Sequence, residues 1–340
     1  MTAPGLTAQM ADRTTDEKDV LKRIQAPVRE SLDAVSEEMT ASIWHDAPLV
    51  AQMGAHLMGM RGKMFRPTLV LHCANIEDDA KPEAVTFAAA VELIHLATLV
   101  HDDAVDHSVL RRGMPTLNSL FSHQISVIMG DFLYSIALMK LVDVGDLEVL
   151  RALTRASTEM TVGEMRQLAV NDSLSFSEDD YYALIRSKTA SLMSAACEVG
   201  SLAGARQHRE ALLRYGDALG MAFQIADDLI DYTEDQSTTG KPTGLDLKEH
   251  KVTLPLIAAM RVMTPAERAR VDELFGNDDP GEEEISEVIR IVTVNGGLDY
   301  ARARGAVYAD QAREALAGLP DTVARRALLD SISYVMERHA

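Results

Sequence analysis

Cysteine is nearly absent from this 340-residue chain, with Cys73 and Cys197 its two representatives. Two thiols cannot form a disulfide framework, and their spacing matches neither a metal cluster nor a redox motif, so both read as buried side chains in a reducing compartment. Aromatics are also scarce, at 5% with a single tryptophan. Against many Ala, Leu and Met residues, that balance leans towards helices rather than sheets. The longest apolar candidate, residues 87–100, is already interrupted by Glu92 and His95, short of the roughly 18 uninterrupted apolar residues of a membrane span. The amino terminus lacks a basic stretch followed by an apolar one, which excludes an ordinary secretory signal. A soluble cytoplasmic protein without stable membrane insertion is expected. Positive charge is short as well: 33 Lys and Arg face 52 Asp and Glu, for a net charge of −19. Such a field disfavours non-specific attraction to nucleic acid or anionic lipid, so no nucleic-acid partner is expected.

What the chain does contain is 47% apolar residues arranged with helical period. Val20, Ile24, Val28, Leu32 and Val35 recur at three and four residues, similar stretches fill most of the sequence, and no alternating strand pattern stands out. Breaks fall at Arg61–Lys63, Arg112–Pro115, Asn171–Ser173, Tyr232–Thr243 and Gly276–Glu284. No linker is long or Pro/Gly-rich enough to mark a domain boundary. The reading is a loose tail over residues 1–15 and one all-α helical domain over 16–340, with ten or more helices. The Met-rich stretch Met53–Met64 is assigned to the core rather than to a subunit interface.

Two acidic clusters carry the chemistry. On a helix, Asp102 and Asp103 lie four and three residues before Asp106, placing the carboxylates within about 5–6 Å of one another at Cβ. Three like charges there are destabilising unless cations sit among them, and Mg²⁺ takes carboxylate oxygens while keeping water and phosphate ligands. An exposed acidic face is the plain alternative for one cluster alone. A second cluster, Asp227, Asp228 and Asp231, repeats the spacing, with Gln224 on the same helix face. Two such helices facing across a bundle core can hold metals and an anionic substrate between them. Cations are concentrated nearby: of nine lysines, Lys63, Lys188, Lys241, Lys248 and Lys251 fall in the segments around the clusters. Arg66, Arg111 and Arg112 join them, and Pro67 suits the first turn of a helix whose amino end favours anions.

In order along the chain, Gly62-Lys63-x-x-Arg66-Pro67, Asp102-Asp103-x-x-Asp106 with Arg111-Arg112-Gly113, Gly130-Asp131, Gly163-Glu164, Lys188-Thr189-Ala190, and Phe223-Gln224-x-x-Asp227-Asp228-x-x-Asp231 with Gly240-Lys241 resemble the trans-isoprenyl diphosphate synthase family. The resemblance covers nearly the whole chain, with no substitution at the metal-binding aspartates. It implies an all-helical bundle of the isoprenoid synthase type around a deep apolar cavity, usually homodimeric, that condenses an allylic diphosphate with isopentenyl diphosphate. Carried over residue by residue, Asp102, Asp106 and Asp227 hold Mg²⁺ with support from Asp103 and Asp231, and Asp228 belongs to the same catalytic set. Lys63, Arg66, His95 and Arg112 bind isopentenyl diphosphate. Arg111, Lys188, Thr189, Gln224, Lys241 and Lys251 address the allylic diphosphate. His95 taken alone reads as a core histidine, but it stands two turns before Asp102 on the same face.

Product length should depend on the helix carrying Asp102. Ala97 and Thr98, five and four residues upstream, are small, and an aromatic at Ala97, roughly 7.5 Å down the axis, would block the growing tail early. Phe87 is the first aromatic on that side, roughly 22 Å away, and stands as a partial floor. The segment resembles the long-chain branch that makes quinone side chains, such as heptaprenyl, octaprenyl and solanesyl diphosphate synthases. A geranylgeranyl diphosphate synthase is the alternative within the family. A terpene cyclase or head-to-head synthase is disfavoured by the isopentenyl pocket, and a metal-binding helical scaffold by the paired clusters.

Overall fold

The computed structural model describes residues 19–60, 62–169, 173–233 and 243–337. The proposed tail, Arg61, Asn171, Asp172, Gly240 and Lys241 therefore lie outside the described residues. The helices used below are α1 (Arg29–Ile43), α2 (Pro48–Gly59), α3 (Phe65–Ala74), α4 (Glu83–Val105), α5 (His123–Val144), α6 (Leu147–Leu168) and α7 (Glu178–Ile185). They continue with α8 (Ser191–Leu202), α9 (Arg209–Thr233), α10 (Leu254–Met260), α11 (Pro265–Phe275), α12 (Glu282–Val294), α13 (Gly297–Ala315) and α14 (Val323–Glu337). The all-α expectation holds with one small departure. Leu110–Arg111 (β1) and Met114–Pro115 (β2) pair antiparallel, and the two-residue turn between them places Arg112 and Gly113 at φ of 52° and 75°. Positive φ at both central residues is the tight-hairpin geometry, which is why a segment too short to show alternation still forms a ladder.

Capping explains several boundaries. Ser122 accepts from the Ile125 amide at the start of α5, and Gly145 closes that helix at φ 78°. Ser177 and Asp180 form a capping box at the head of α7. The expected break beginning at Tyr232 starts later, because α9 runs on through Thr233.

Helix α4 is apolar nearly all round, as suits a helix enclosed by others. It packs on α3, α5 and α1, while α9 packs on α8 and α13. Two cores result. One gathers Val35, Leu57, Phe87, Leu93, Leu133 and Leu153; the other gathers Leu69, Tyr181, Tyr215, Ile225, Leu256 and Ile332. Helices α3 and α8 contribute to both. Met53, Leu57 and Met60 are buried in the first, as the assignment of that stretch requires. Cys73 and Cys197 are free and fully buried. Helices α4 and α5 are long and apolar enough to cross a membrane by length and composition, a property α4 owes to its place inside the core.

Candidate active site

Both aspartate clusters sit at the C-terminal ends of long helices. Asp102 and Asp103 occupy the last turn of α4, with Asp106 as its C-cap, and Asp227, Asp228 and Asp231 lie in the last turns of α9. A helix C-terminus carries partial negative charge, so each cluster adds carboxylates where they are least welcome. The Asp102 carboxyl is pushed up to about 6 chiefly by burial; Lys188 opposes the push, and Glu164 and Asp106 add to it. The same pattern places Asp102 beside Lys188. Lys251, from beyond the second cluster, is held above the usual ammonium range: burial works against its charge, but Glu249, Asp246 and Asp106 outweigh it. Lys251 thus feels both Asp106 of the first cluster and Asp246 beside the second.

The six aspartates divide by what they touch. Asp103 is buried and takes the Arg111 Nε–H on both oxygens, at 2.8 and 2.9 Å, so it orients Arg111. Asp228 is buried and accepts from Tyr181 Oη at 2.6 Å and Gln224 Nε2 at 2.8 Å. Burial, then the neighbouring Asp246, pushes the Asp228 carboxyl well above the usual range, with the two hydrogen bonds opposing. Both carboxylates thereby position neighbouring side chains. Asp231 receives the backbone N–H groups of Leu245 and Asp246, each at 3.0 Å, and so anchors the chain after the second cluster. Among the described residues, no three Asp, Glu, His or Cys side chains converge as a ready-made ion cage. The donor set is nonetheless all carboxylate oxygen at two negative helix ends, which suits a hard divalent ion whose remaining ligands come from phosphate and water.

Lys188 owes its place to backbone irregularity. Arg186–Ala190 is π-helical, a widening common at functional sites. Lys188 reaches Glu164 at 2.5 Å and Gln167 Oε1 at 2.8 Å. Gly163 permits the approach, since a Cβ there would meet Ser187 Cβ at 2.7 Å. The Thr189 hydroxyl donates to Gln224 Oε1 at 2.7 Å, so Thr189, Gln224, Asp228 and Tyr181 form one hydrogen-bonded chain.

The second group of predicted binders forms a separate cationic pocket. Arg66 is half-buried; its Nη1 lies 3.1 Å from His95 Nε2, and among the described residues its buried Nε has no hydrogen-bond partner. Burial drives the His95 imidazole well below its usual range, with Arg66, Arg112 and Arg111 adding to the effect. His95 is therefore neutral and accepts from Arg66. Arg112 Nη1 donates to the Met60 carbonyl at 2.8 Å. A Cβ on Gly62 would fall 2.7 Å from Arg112 Nη2, so glycine makes the space for this guanidinium. Lys63 places its ammonium 5.5 Å from the centre of the Tyr334 ring on α14. The backbone here is strained: Arg112 and Met64 adopt φ of 52° and 53°, a conformation that side-chain-bearing residues adopt rarely. A buried guanidinium nitrogen without a partner among the described residues, beside the Arg112 guanidinium set by its turn, is a fit for an incoming anion.

Of the chain-length residues, Ala97 is buried on α4 and Thr98 is partly exposed, its hydroxyl turned back to the His95 carbonyl at 2.7 Å. Phe87 lines a cavity of about 470 Å³ between the start of α4 and the α5–α6 turn. Sequence reasoning missed Tyr181, Gln167 and Asp246. Asp246 is half-buried near Asp231, Asp227 and Lys251, and desolvation followed by the charge of Asp231 pushes its carboxyl up. Its place in a short Asp-Leu-Lys turn beside other charged residues was the available signal; Tyr181 offered none.

The polyprenyl synthetase family profile matches residues 47–292. The chain belongs to the polyprenyl synthetase family. It is 37% identical over 323 residues to an all-trans-nonaprenyl-diphosphate synthase (geranyl-diphosphate specific) of Rhodobacter capsulatus, covering 94% of this chain and 98% of that protein. Identity to the octaprenyl diphosphate synthase of Escherichia coli is 36% over 320 residues, covering 94% and 99%. A solved polyprenyl synthase from Caulobacter crescentus, complexed with calcium and isoprenyl diphosphate, superposes with a TM-score of 0.89 at 34% identity over 94% of this chain and 98% of that one. The chain is accordingly a prenyltransferase with the all-α isoprenoid synthase fold.

Proposed function

We propose that the protein is a magnesium-dependent trans-prenyltransferase that adds isopentenyl diphosphate repeatedly to an allylic diphosphate and releases a long-chain all-trans polyprenyl diphosphate of the kind used for quinone side chains. The observation that carries this reading is the pairing of two aspartate-bearing helix ends with a separate pocket whose buried Arg66 nitrogen lacks a partner among the described residues. Asp102, Asp106 and Asp227 would hold Mg²⁺, and Asp231 would use what lone-pair capacity its two amide contacts leave. Magnesium, when bound, supplies Lewis-acid stabilisation to the leaving diphosphate. Asp246 completes the acidic wall.

The chain's own residues supply the rest. Arg111, Lys188, Lys251 and the Thr189–Gln224 pair steady the allylic diphosphate as its C1–O bond breaks, and Lys241, outside the described residues, belongs with them. Lys63, Arg66, His95 and Arg112 hold isopentenyl diphosphate so that its C4 faces the allylic C1, which turns the encounter into an oriented intramolecular one. The C2 proton of the new chain passes to the departed diphosphate. Apolar residues of α4 such as Ala97 and Val100 keep water from the electron-poor allylic carbon.

Small residues at Ala97 and Thr98 leave the wall of α4 open to a growing tail, and Phe87 would be a partial floor at its far end. The nonaprenyl and octaprenyl names of the relatives support a long product over a geranylgeranyl one. A homodimer is supported by α5, where Ile128, Met139 and Val142 lie 60–66% exposed along one stripe, and a reducing cytoplasm by the two free thiols. We take the two cores to serve one domain. Purified protein with isopentenyl diphosphate, a farnesyl or geranylgeranyl primer and Mg²⁺ should form products well beyond geranylgeranyl length. A product stopping there would favour the alternative, and absence of condensation would defeat the reading.

A further inference from the structure

Glu92 has no task in the reaction just described, although it belongs to the same pocket. It lies on α4 three residues before His95, on the same helix face, and is 9% exposed. Arg66 and Arg112 both feel its charge. Among the described residues, however, neither guanidinium closes a hydrogen bond or contact ion pair on it: Arg66 turns to His95 and Arg112 to the Met60 carbonyl. A carboxylate that fixed these guanidiniums in place would do so through short, often bidentate contacts. Glu92 instead acts through space: burial pushes its carboxyl above the usual range, and the charges of Arg66 and Arg112 oppose the push and favour its ionised form. A negative charge behind an anion-binding pocket works against the anion.

The chemistry of elongation gives that opposition a use. When the allylic C1 bonds to C4 of isopentenyl diphosphate, the diphosphate that departs is the allylic one. The diphosphate that stays on the product came with isopentenyl diphosphate and still occupies the cationic pocket. The next addition needs it at the aspartate site instead. The pocket must therefore release, once per cycle, the very group it has just bound, and three cations converging on one diphosphate would hold that group too long. We propose that Glu92 weakens the hold of Lys63, Arg66 and Arg112 on the diphosphate, so that the elongated chain vacates the pocket for the aspartate site before the next isopentenyl diphosphate arrives. This rests on the function proposed above, since it needs both the pocket assignment and repeated addition.

Glu92→Gln keeps the volume and removes the charge. Calorimetric titration of the metal-free variant with isopentenyl diphosphate should show binding about fivefold tighter or more, the effect of one unscreened charge at close range. With Mg²⁺ and primer, its KM for isopentenyl diphosphate should fall in parallel. Steady-state kcat over many additions should also fall, while the first condensation in a single turnover keeps the parent rate. Glu92→Asp retains the charge and should restore parental values. Should the Gln variant not fold, Glu92→Met, of similar length and uncharged, carries the same expectation. Unchanged or weaker binding in the uncharged variants would overturn the proposal, as would a slower first condensation equal to the steady-state loss. Arg112→Gln in the same titration separates the two levels. If it leaves isopentenyl diphosphate binding intact, the pocket assignment has failed. If it weakens binding while Glu92→Gln does not strengthen it, only the role of Glu92 has.

Discussion

The two diphosphate sites differ in how complete they are. The Arg66–His95–Arg112 pocket is assembled by the chain alone: its cations are already placed, one through a strained turn, and a guanidinium nitrogen unpaired among the described residues points to what is missing. The aspartate site is unfinished, with carboxylates gathered at two negative helix ends and no cage closed among the described residues. One site needs only its anion, while the other needs a cation before an anion is tolerable. This asymmetry suits a reaction in which the leaving group alone requires strong electrophilic help.

The comparison can be broken from either side. Asp102→Asn together with Asp227→Asn should lower kcat by at least about a thousandfold, in line with loss of transition-state charge stabilisation, while metal-free binding of isopentenyl diphosphate, followed by calorimetry, stays within about twofold of the parent. Arg112→Gln should do the reverse in steady-state kinetics: removing a charged hydrogen-bond donor to phosphate, about 1.5–3 kcal/mol, should raise the KM for isopentenyl diphosphate tenfold or more and leave that for the allylic primer little changed. A smaller effect is expected at Tyr181→Phe, which strips one hydrogen bond from buried Asp228. A loss of about 1 kcal/mol in stability and a few-fold rise in the allylic KM should appear without change at the isopentenyl side.

Acid provides a subtler test. His72 on α3, the helix that carries Arg66, is buried with Nε2 2.7 Å from the Ile24 carbonyl, and burial lowers its imidazole from 6.5 to about 4. Folded His72 stays neutral while the unfolded chain takes up a proton, so its contribution is full above pH 6.5 and declines as pH falls towards 4. Denaturant titrations across that window should show a loss of up to about 3 kcal/mol that His72→Gln reduces. The smallest effect concerns the tail: Phe87→Ala should shift the product distribution, read by chromatography, towards longer chains, and an unchanged distribution removes Phe87 as a floor.

Spacing made the aspartates legible, because carboxylates three and four apart must share a helix face and two such sets need a cation. The scarcity of lysine picked out Lys63, Lys188 and Lys251 by similar reasoning. What could not be read were features set by backbone irregularity and tertiary approach. The π-helical turn that aims Lys188 has no periodic signature. Tyr181 meets Asp228 from a helix 47 residues away, and Asp246 joins the acidic wall through a turn pinned by Asp231. Glu92 was visible as a charge interrupting an apolar run, but its meaning depends on Arg66 and Arg112 converging from elsewhere. Spacing also could not show that Asp103 takes the Arg111 guanidinium or that Asp228 takes the Gln224 amide.

The contrast between a finished and an unfinished site is tested most directly by calorimetric binding of each diphosphate to the same protein with and without magnesium. Isopentenyl diphosphate should bind metal-free protein with an affinity that magnesium changes by no more than about twofold, whereas an allylic diphosphate should gain tenfold or more, about 1.4 kcal/mol, when the metal is added. Equal dependence on magnesium for both ligands would contradict it.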